Sequence, residues 1–185
     1  MAWLTIPVEV KGKYSQPIYQ TRISDSGWAR RHWKTLIHSY SRAPCFSDYF
    51  DLVEDLYLGC RERLLSVVNH RFLVMLCAAL GIETPLTWSM DYEAEGEKTE
   101  RLVSLCRQAG ASEYVSGPAA KAYLDEQQFA DAGIRLTYMD YSGYPEYPQP
   151  HPPFEHGVSI LDLLFCTGAD APSYMKRMSK TGGLQ

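Results

Sequence analysis

The first half of the chain carries apolar residues at helical spacing. Apolar positions recur every three or four residues over residues 28–40, 47–58 and 61–80. This period places the apolar side chains on one face of a helix, which then packs against a core. The third stretch is the most apolar and is followed by Gly81, a residue type that commonly follows the last turn of a helix. We therefore predict three helices, with the third buried at the centre of the fold.

Outside these helices, short strand-like runs alternate with further helical spacing. The expected strands cover residues 2–10, 86–90, 113–116 and 135–140, and the further helices cover residues 98–109, 126–132 and 158–167. Strands that alternate with helices favour a parallel sheet covered by helices. We predict an α/β fold with a mainly parallel sheet, helices packed on both of its faces, and an inserted helical subregion around residues 28–81.

Composition indicates a single soluble domain. The 185 residues are 45% hydrophobic and 22% charged, which is ordinary for a globular chain with one core. We expect one α/β domain over residues 1–175 and a flexible tail over residues 176–185. The sequence holds no apolar run of the ~20 residues that cross a bilayer, and its start lacks the pattern of a signal peptide. No membrane insertion and a cytoplasmic location are therefore expected.

Charge and cysteine content argue against further classes of protein. The formal net charge is -4, whereas general nucleic-acid binding requires a basic surface. The five cysteines are odd in number and far apart, so reduced thiols are expected rather than a disulfide framework. A small anionic ligand is compatible with this charge. The sequence specifies no cofactor and leaves the oligomeric state open, a homo-oligomer included.

A proline-rich loop over residues 141–156 has the most unusual composition in the chain. Its prolines fix φ and lack a backbone donor, so the loop is extended and presents its side chains at a low entropic cost. Tyr144 and Tyr147 are candidate ligand contacts in this loop. The alternative is a surface crossover that is packed by its own tyrosines.

Residues for acid–base chemistry lie at the end of the same loop. Histidine is a common general acid or base, and Glu155 or Asp162 could orient the imidazole of His156. We therefore take these three as candidate catalytic residues. The alternative is that His156 or Ser159 caps the helix that begins near residue 158, or that His156 is packed as a structural residue. The spacing of His151, Glu155 and His156 does not match the known helical zinc motifs, so no metal site is expected.

Candidate ligand-binding residues follow the predicted strands. In an α/β sheet, ligands gather at the carboxyl ends of the strands, where this chain has Ser116, Gly117 and Asp140. Lys98 and Arg101 begin a predicted helix, where cations oppose the helix dipole unless an anion lies nearby. A phosphate or carboxylate ligand fits both places. Plain turns, and ion pairs with neighbouring glutamates, are the alternatives.

Several sequence blocks together resemble one family. They are Tyr114-Val-Ser-Gly-Pro-Ala-Ala-Lys-Ala-Tyr-Leu-Asp125, Ala132-Gly-Ile134, Tyr144-Pro-Glu-Tyr-Pro-Gln149 and Pro153-Phe-Glu-His-Gly-Val-Ser-Ile-Leu-Asp-Leu-Leu-Phe165. In this order they are similar to the WbqC-like family, and Trp3-Leu-Thr-Ile-Pro-Val8 extends the resemblance to nearly the whole chain. Family members usually have several tens of residues before that opening strand, so we expect that an N-terminal segment of the family is absent here.

The resemblance implies a bacterial cytoplasmic protein of surface-polysaccharide or O-antigen sugar biosynthesis. The enzyme hypothesis that follows is a transferase that acts on an activated sugar, with an acyl or aminoacyl donor. Its partner is then a small anionic metabolite or a nucleotide-activated sugar. A second class stays open, namely a non-catalytic ligand-binding or assembly protein that uses the Tyr/Pro-rich loop 141–156.

Overall fold

The computed structural model describes residues 3–176. Its helices and strands in chain order are α1 (Trp28–Tyr40), α2 (Phe46–Leu58), α3 (Leu65–Ala79), α4 (Lys98–Gln108), β1 (Glu113–Ser116), α5 (Glu126–Asp131), β2 (Arg135–Tyr138) and α6 (Ile160–Thr167). Short 3₁₀ turns cover Ile18–Gln20, Ser89–Asp91, Pro118–Ala122 and Gly168–Tyr174. The elements form two compact units, called here the first unit (residues 3–84 with 145–176) and the second unit (residues 85–144).

Helices build the core of the first unit. The buried residues of α1 share one helical face and are Trp28, Ala29, His32, Trp33 and Leu36. Those of α2 are Phe46, Val53, Leu56 and Tyr57. In α6, by contrast, every residue from 161 to 166 is buried. A helix that is buried on every side lies inside a fold, so α6 is the central helix of this unit.

The prediction that the third helix is the central buried one is wrong. α3 buries only Val68, while Leu73 is 53% exposed and Val74 is 44% exposed. Apolar content predicted burial, but burial depends on which neighbours surround a helix. Phe46 of α2 packs on Phe165 of the short α6, with ring centroids 5.0 Å apart.

The second unit contains a pair of parallel strands. β1 and β2 align from Glu113 beside Arg135 to Ser116 beside Tyr138. α5 lies between them in sequence, because parallel strands need a crossover connection. Tyr114 of β1 stacks on Phe129 of α5 with ring centroids 5.1 Å apart, which holds this helix against the sheet. The buried residues of this unit are Val103, Cys106, Ala120, Leu124, Phe129 and Ile134.

The predicted α/β class is confirmed at its coarse level, since helices and parallel strands are both present. Within residues 3–176 the sheet has two strands, and a larger sheet with helices on both faces stays a prediction. A strand was predicted over residues 2–10, but the described residues 3–10 form one antiparallel bridge, between Val8 and Ile23, because Pro7 has no N–H to donate to a ladder. Residues 86–90 run into a 3₁₀ turn, where the Asp91 carboxylate accepts the Trp88 N–H at 2.9 Å.

The extent of the domain is not decided by these contacts. A single domain over residues 1–175 stays a prediction, and the predicted tail over residues 176–185 lies outside the described residues except for Lys176. No helix within residues 3–176 is both long enough and apolar enough to cross a membrane.

Candidate functional site

Asp162 lies at the base of the first candidate site, in the first unit. It stands in the first turn of α6, which begins where the Ser159 hydroxyl accepts the N–H of Leu161 at 3.3 Å. The Asp162 side chain is only 4% exposed. Its Oδ1 accepts hydrogen bonds from the Tyr147 hydroxyl at 2.7 Å and from Gln149 Nε2 at 2.9 Å. This buried carboxylate therefore ties the proline-rich loop to α6.

Protonated side chains surround the Asp162 carboxylate. Burial, together with a hydrogen bond to Asp162 and its negative charge, raises the pKa of the Tyr40 and Tyr147 hydroxyls well above their usual value. Burial and the same charge raise the pKa of the Cys166 thiol to about 12. These groups therefore keep their protons at neutral pH and donate toward the carboxylate. A buried charge that accepts several hydrogen bonds is compatible with a stable core.

Gln149 connects Asp162 to the end of the loop through hydrogen bonds. Its Oε1 accepts the backbone N–H of Glu155 at 2.8 Å, and its Nε2 donates to the backbone oxygen of Glu155 at 3.0 Å. The two bonds clamp the Glu155 backbone. The Glu155 carboxylate is exposed and its Oε1 accepts the N–H of Gly157 at 2.8 Å. The position of Glu155 therefore depends on Asp162 through one amide side chain.

His156 is the exposed end of the same network. Its ring packs edge to face on Phe154, with centroids 4.7 Å apart, and Phe154 packs in the same way on Tyr147 at 5.0 Å. The imidazole is thus packed against Phe154 on one side and exposed to solvent on the other. This arrangement suits a group that exchanges protons with a ligand. It also differs from a histidine that caps a helix, because the N-cap of α6 is Ser159.

The second candidate site lies at the carboxyl ends of β1 and β2, in the second unit. Ser116 ends β1, and its backbone oxygen accepts the N–H of Met139 at 2.8 Å. A Cβ placed on Gly117 would lie 3.4 Å from the Tyr141 hydroxyl. Asp140 accepts the backbone N–H and the hydroxyl of Ser142, both at 2.9 Å. These bonds shape the turn after β2.

Lys98 and Arg101 lie at the start of α4, also in the second unit. Both side chains are exposed. Lys98 has a φ of 50°, in the left-handed region that residues with a Cβ rarely adopt. Arg101 Nη1 donates to the backbone oxygen of Ala94 at 3.0 Å, so this cation also closes the loop before the helix. Arg101 therefore has a structural partner within its own unit.

Comparison with known proteins places the chain in a family. The sequence profile described as the WbqC-like protein family matches residues 1–174. The chain belongs to the WbqC-like protein family. It is 47% identical over 176 residues to a protein of Mycobacterium tuberculosis (strain ATCC 25618 / H37Rv) named Uncharacterized protein Rv1507c, and the match covers 95% of this chain and 76% of that protein. No solved structure gives a significant match.

The predicted site residues of this WbqC-like protein fall into two groups. Those that the contacts of the first unit link in one network are Tyr147, Glu155, His156 and Asp162. Those in the second unit are Lys98, Arg101, Ser116, Gly117, Asp140 and Tyr144. The functional roles of both groups stay predictions. Among residues 3–176, no three His, Cys, Asp or Glu side chains are grouped as metal ligands.

Sequence reasoning missed three members of the first network. Tyr40 comes from α1, far earlier in the chain, and no local pattern connects it with Asp162. Gln149 and Phe154 lie inside the proline-rich loop, and their polar and aromatic side chains were the signal that could have identified them. The composition of the loop is unusual, but its contacts depend on α6, which that composition does not reveal.

Proposed function

We propose that this WbqC-like protein is a bacterial cytoplasmic enzyme of surface-polysaccharide or O-antigen sugar biosynthesis, a transferase that acts on an activated sugar. The observation that carries the catalytic part is the network from buried Asp162 through Gln149 to Glu155, with His156 exposed beside it. Because Gln149 fixes the Glu155 backbone and Phe154 supports the ring of His156, both side chains are preorganised for proton transfer. The sugar context comes from the family resemblance.

The proposed chemistry is transfer of an acyl or aminoacyl group. A hydroxyl or amine of the sugar forms the new bond to the acyl carbon, and the bond between that carbon and the leaving group of the donor breaks. His156 takes the proton of the attacking group and delivers it to the leaving group, as a general base and then a general acid. Glu155 is proposed to orient the imidazole of His156.

An anion-binding role is proposed separately for the second unit. Lys98 and Arg101 offer two exposed cations at the start of α4, and Ser116 with Gly117 offers a hydroxyl and backbone groups at the end of β1. The ligand proposed for these groups is the phosphate part of a nucleotide-activated sugar or another small anionic metabolite. Asp140 and Tyr144 are proposed as contacts to its sugar hydroxyls.

The test is a transfer assay with a matched histidine control. The full chain is incubated with a panel of nucleotide-activated sugars and with acyl-coenzyme A or aminoacyl donors, and modified sugars are detected by mass spectrometry. His156→Ala is expected to slow turnover roughly 100- to 10,000-fold. His151→Ala, which removes another exposed histidine of the same loop, is expected to leave turnover unchanged. Equal rates for both variants would remove His156 from the mechanism.

A non-catalytic role for loop 141–156 is the second candidate. The observation in its favour is that Tyr147 and Gln149 fix the loop from inside, because a surface held in one shape binds with little loss of entropy. This role predicts that a ligand raises the thermal unfolding temperature, or that sedimentation analysis shows a dimer of the chain. It also predicts that no combination of sugar and donor is turned over.

A further inference from the structure

The segment that precedes α1 forms a groove outside both candidate sites. One cleft of about 440 Å³ is lined by Gln16, Tyr19, Gln20, Arg22 and Leu64. A neighbouring cleft of about 580 Å³ is lined by Gly12, Lys13, Tyr14, Ser15, Gln16 and Gln20. Gln16 and Gln20 line both clefts, so the two clefts are adjacent. We call this feature the N-terminal groove. Both clefts are open to solvent, and most of their lining residues are exposed.

Backbone hydrogen bonds fix the floor of the N-terminal groove. The N–H of Ile23 donates to the Arg63 oxygen at 2.8 Å, and the N–H of Leu65 donates to the Thr21 oxygen at 2.9 Å. On the other side, the N–H of Glu9 donates to the Arg22 oxygen at 2.9 Å. The groove is therefore held from two neighbouring segments. A ligand that enters it meets a shape that is already formed.

The lining combines exposed aromatic rings with amide side chains. Tyr14 is fully exposed and Tyr19 is 45% exposed, although burying an aromatic ring away from water is favourable. Gln16 Nε2 donates to the Gln20 backbone oxygen, and Gln20 Nε2 donates to the Tyr19 hydroxyl at 3.3 Å. Each amide therefore keeps a second N–H donor and its carbonyl acceptor for a ligand. Ring faces stack against the apolar C–H faces of a pyranose, and amides match its adjacent hydroxyls.

Cations outnumber acids around the groove. The Lys13 ammonium, through a hydrogen bond and its charge, lowers the pKa of the Glu9 carboxyl, and Arg22 and Arg63 add to this effect. One carboxylate therefore lies among three cations. The Arg22 side chain lines the first cleft, and a guanidinium binds carboxylate or phosphate through two parallel hydrogen bonds. The groove therefore favours a ligand with an anionic group.

We propose that the N-terminal groove binds a saccharide that carries an acidic group. Tyr14 and Tyr19 stack on the sugar rings, Gln16 and Gln20 bind the hydroxyls, and Arg22 binds the carboxylate or phosphate. This site uses none of the residues proposed for catalysis and does not depend on the proposed transfer reaction.

The test measures saccharide binding by calorimetry on the full chain. The probes are trigalacturonic acid and a chondroitin disaccharide as acidic saccharides, a nucleotide-activated glucuronic acid as a phosphate-bearing one, and maltotriose as a neutral one. We expect binding of at least one anionic probe, and at least 10-fold weaker binding for Tyr19→Ala and for Gln20→Ala. Arg22→Gln is expected to abolish the preference for the anionic probes over maltotriose.

Exposed positions make these variants suitable for the test. Tyr19, Gln20 and Arg22 lie at the surface, so their replacement leaves the core intact, and unchanged thermal unfolding checks this. Tyr123→Ala, which removes a tyrosine that is 71% exposed in the second unit, is the matched control and is expected to bind normally. His156→Ala is expected to bind normally as well, which separates this site from the catalytic proposal.

Three results would overturn the proposal. The first is that none of the four probes binds to the folded chain. The second is that Tyr19→Ala and Tyr123→Ala have the same effect on binding. The third is that a single-stranded RNA oligonucleotide binds in the groove and the saccharides do not compete with it.

Discussion

Replacing Asp162 by alanine tests whether one buried carboxylate holds the proline-rich loop. Its Oδ1 accepts the Tyr147 hydroxyl at 2.7 Å and Gln149 Nε2 at 2.9 Å, and the side chain is 4% exposed. In Asp162→Ala both donors lose their acceptor. A buried donor without a partner costs roughly 1–3 kcal/mol, and the lower part of this range applies because Tyr147 and Gln149 are half-buried. The expected loss of unfolding free energy is therefore about 2–4 kcal/mol.

Urea unfolding at pH 7 measures this loss. Trp28 and Trp33 are buried in the same unit and report its unfolding by fluorescence. Asp170→Ala is the matched control, because it removes one carboxylate from an exposed position just after α6 and should change stability by less than about 0.5 kcal/mol. Asp162→Asn keeps an acceptor oxygen but loses the charge, so its loss should be smaller than that of Asp162→Ala.

A double-mutant cycle identifies the cause of the loss. Tyr147→Phe removes one donor to the carboxylate and should lower stability in the native background by roughly 1.5–3 kcal/mol, as for a hydrogen bond to a charged group. In the Asp162→Ala background the same change should cost much less, because the bond is already absent. Chymotrypsin should also cleave Asp162→Ala faster near Phe154. Additive effects, or a loss no larger than that of Asp170→Ala, would refute the anchoring role.

Two further predictions concern the same unit. His32 is 7% exposed and its Nε2–H donates to the Thr5 oxygen at 3.0 Å; burial lowers its pKa from the ordinary 6.5. The neutral ring therefore contributes stability that is fully present above pH 6.5 and is lost as the pH falls below it. His32→Gln does not titrate at this position. In urea unfolding, the free energy of unfolding of the native chain relative to this variant should fall by at most about 1.4 kcal/mol per pH unit. Gly168 has a φ of 58° and an added Cβ would lie 2.8 Å from Cys45 Sγ, so Gly168→Ala should lose about 2–4 kcal/mol in the same assay. At Gly12, φ is 72° and no atom lies within 4 Å of an added Cβ, so Gly12→Ala should lose only the backbone part of the unfolding free energy, about 1–2 kcal/mol. Cys45→Ala should restore part of the stability that Gly168→Ala loses. Equal losses at both glycines would contradict the clash with Cys45.

Helix positions followed from the sequence, but helix burial did not. The 3.6-residue spacing of apolar residues gave α1, α2 and α4 to within a few residues, because one apolar face is a local property. Burial is not local. α3 carries many apolar residues and still exposes Leu73, while the shorter α6 is enclosed on every side. The difference is set by which helices pack together, and a single sequence does not contain that information.

The candidate site was predictable only in part for the same reason. His156, Glu155 and Tyr147 lie close in sequence, and their composition marked the loop before any contact was known. The hydrogen bond from Tyr147 to Asp162 was not predicted. Tyr147 was predicted to contact a ligand and Asp162 to take part in catalysis, so a direct bond between them was not considered. The N-terminal groove was also missed, since Tyr14 and Tyr19 show neither helical nor strand periodicity.

The geometry separates two roles that one activity measurement would confuse. Asp162 is buried beneath the loop and His156 is exposed at its end, so loss of activity in Asp162→Ala follows from a displaced loop whether or not the carboxylate takes part in chemistry. Asp162→Asn resolves this, because it keeps an acceptor for Tyr147. If Asp162→Asn retains turnover while His156→Ala loses it at unchanged stability, Asp162 is a positioning residue. If both lose turnover equally and both keep the fold, the charge of Asp162 reaches the reacting groups through the network.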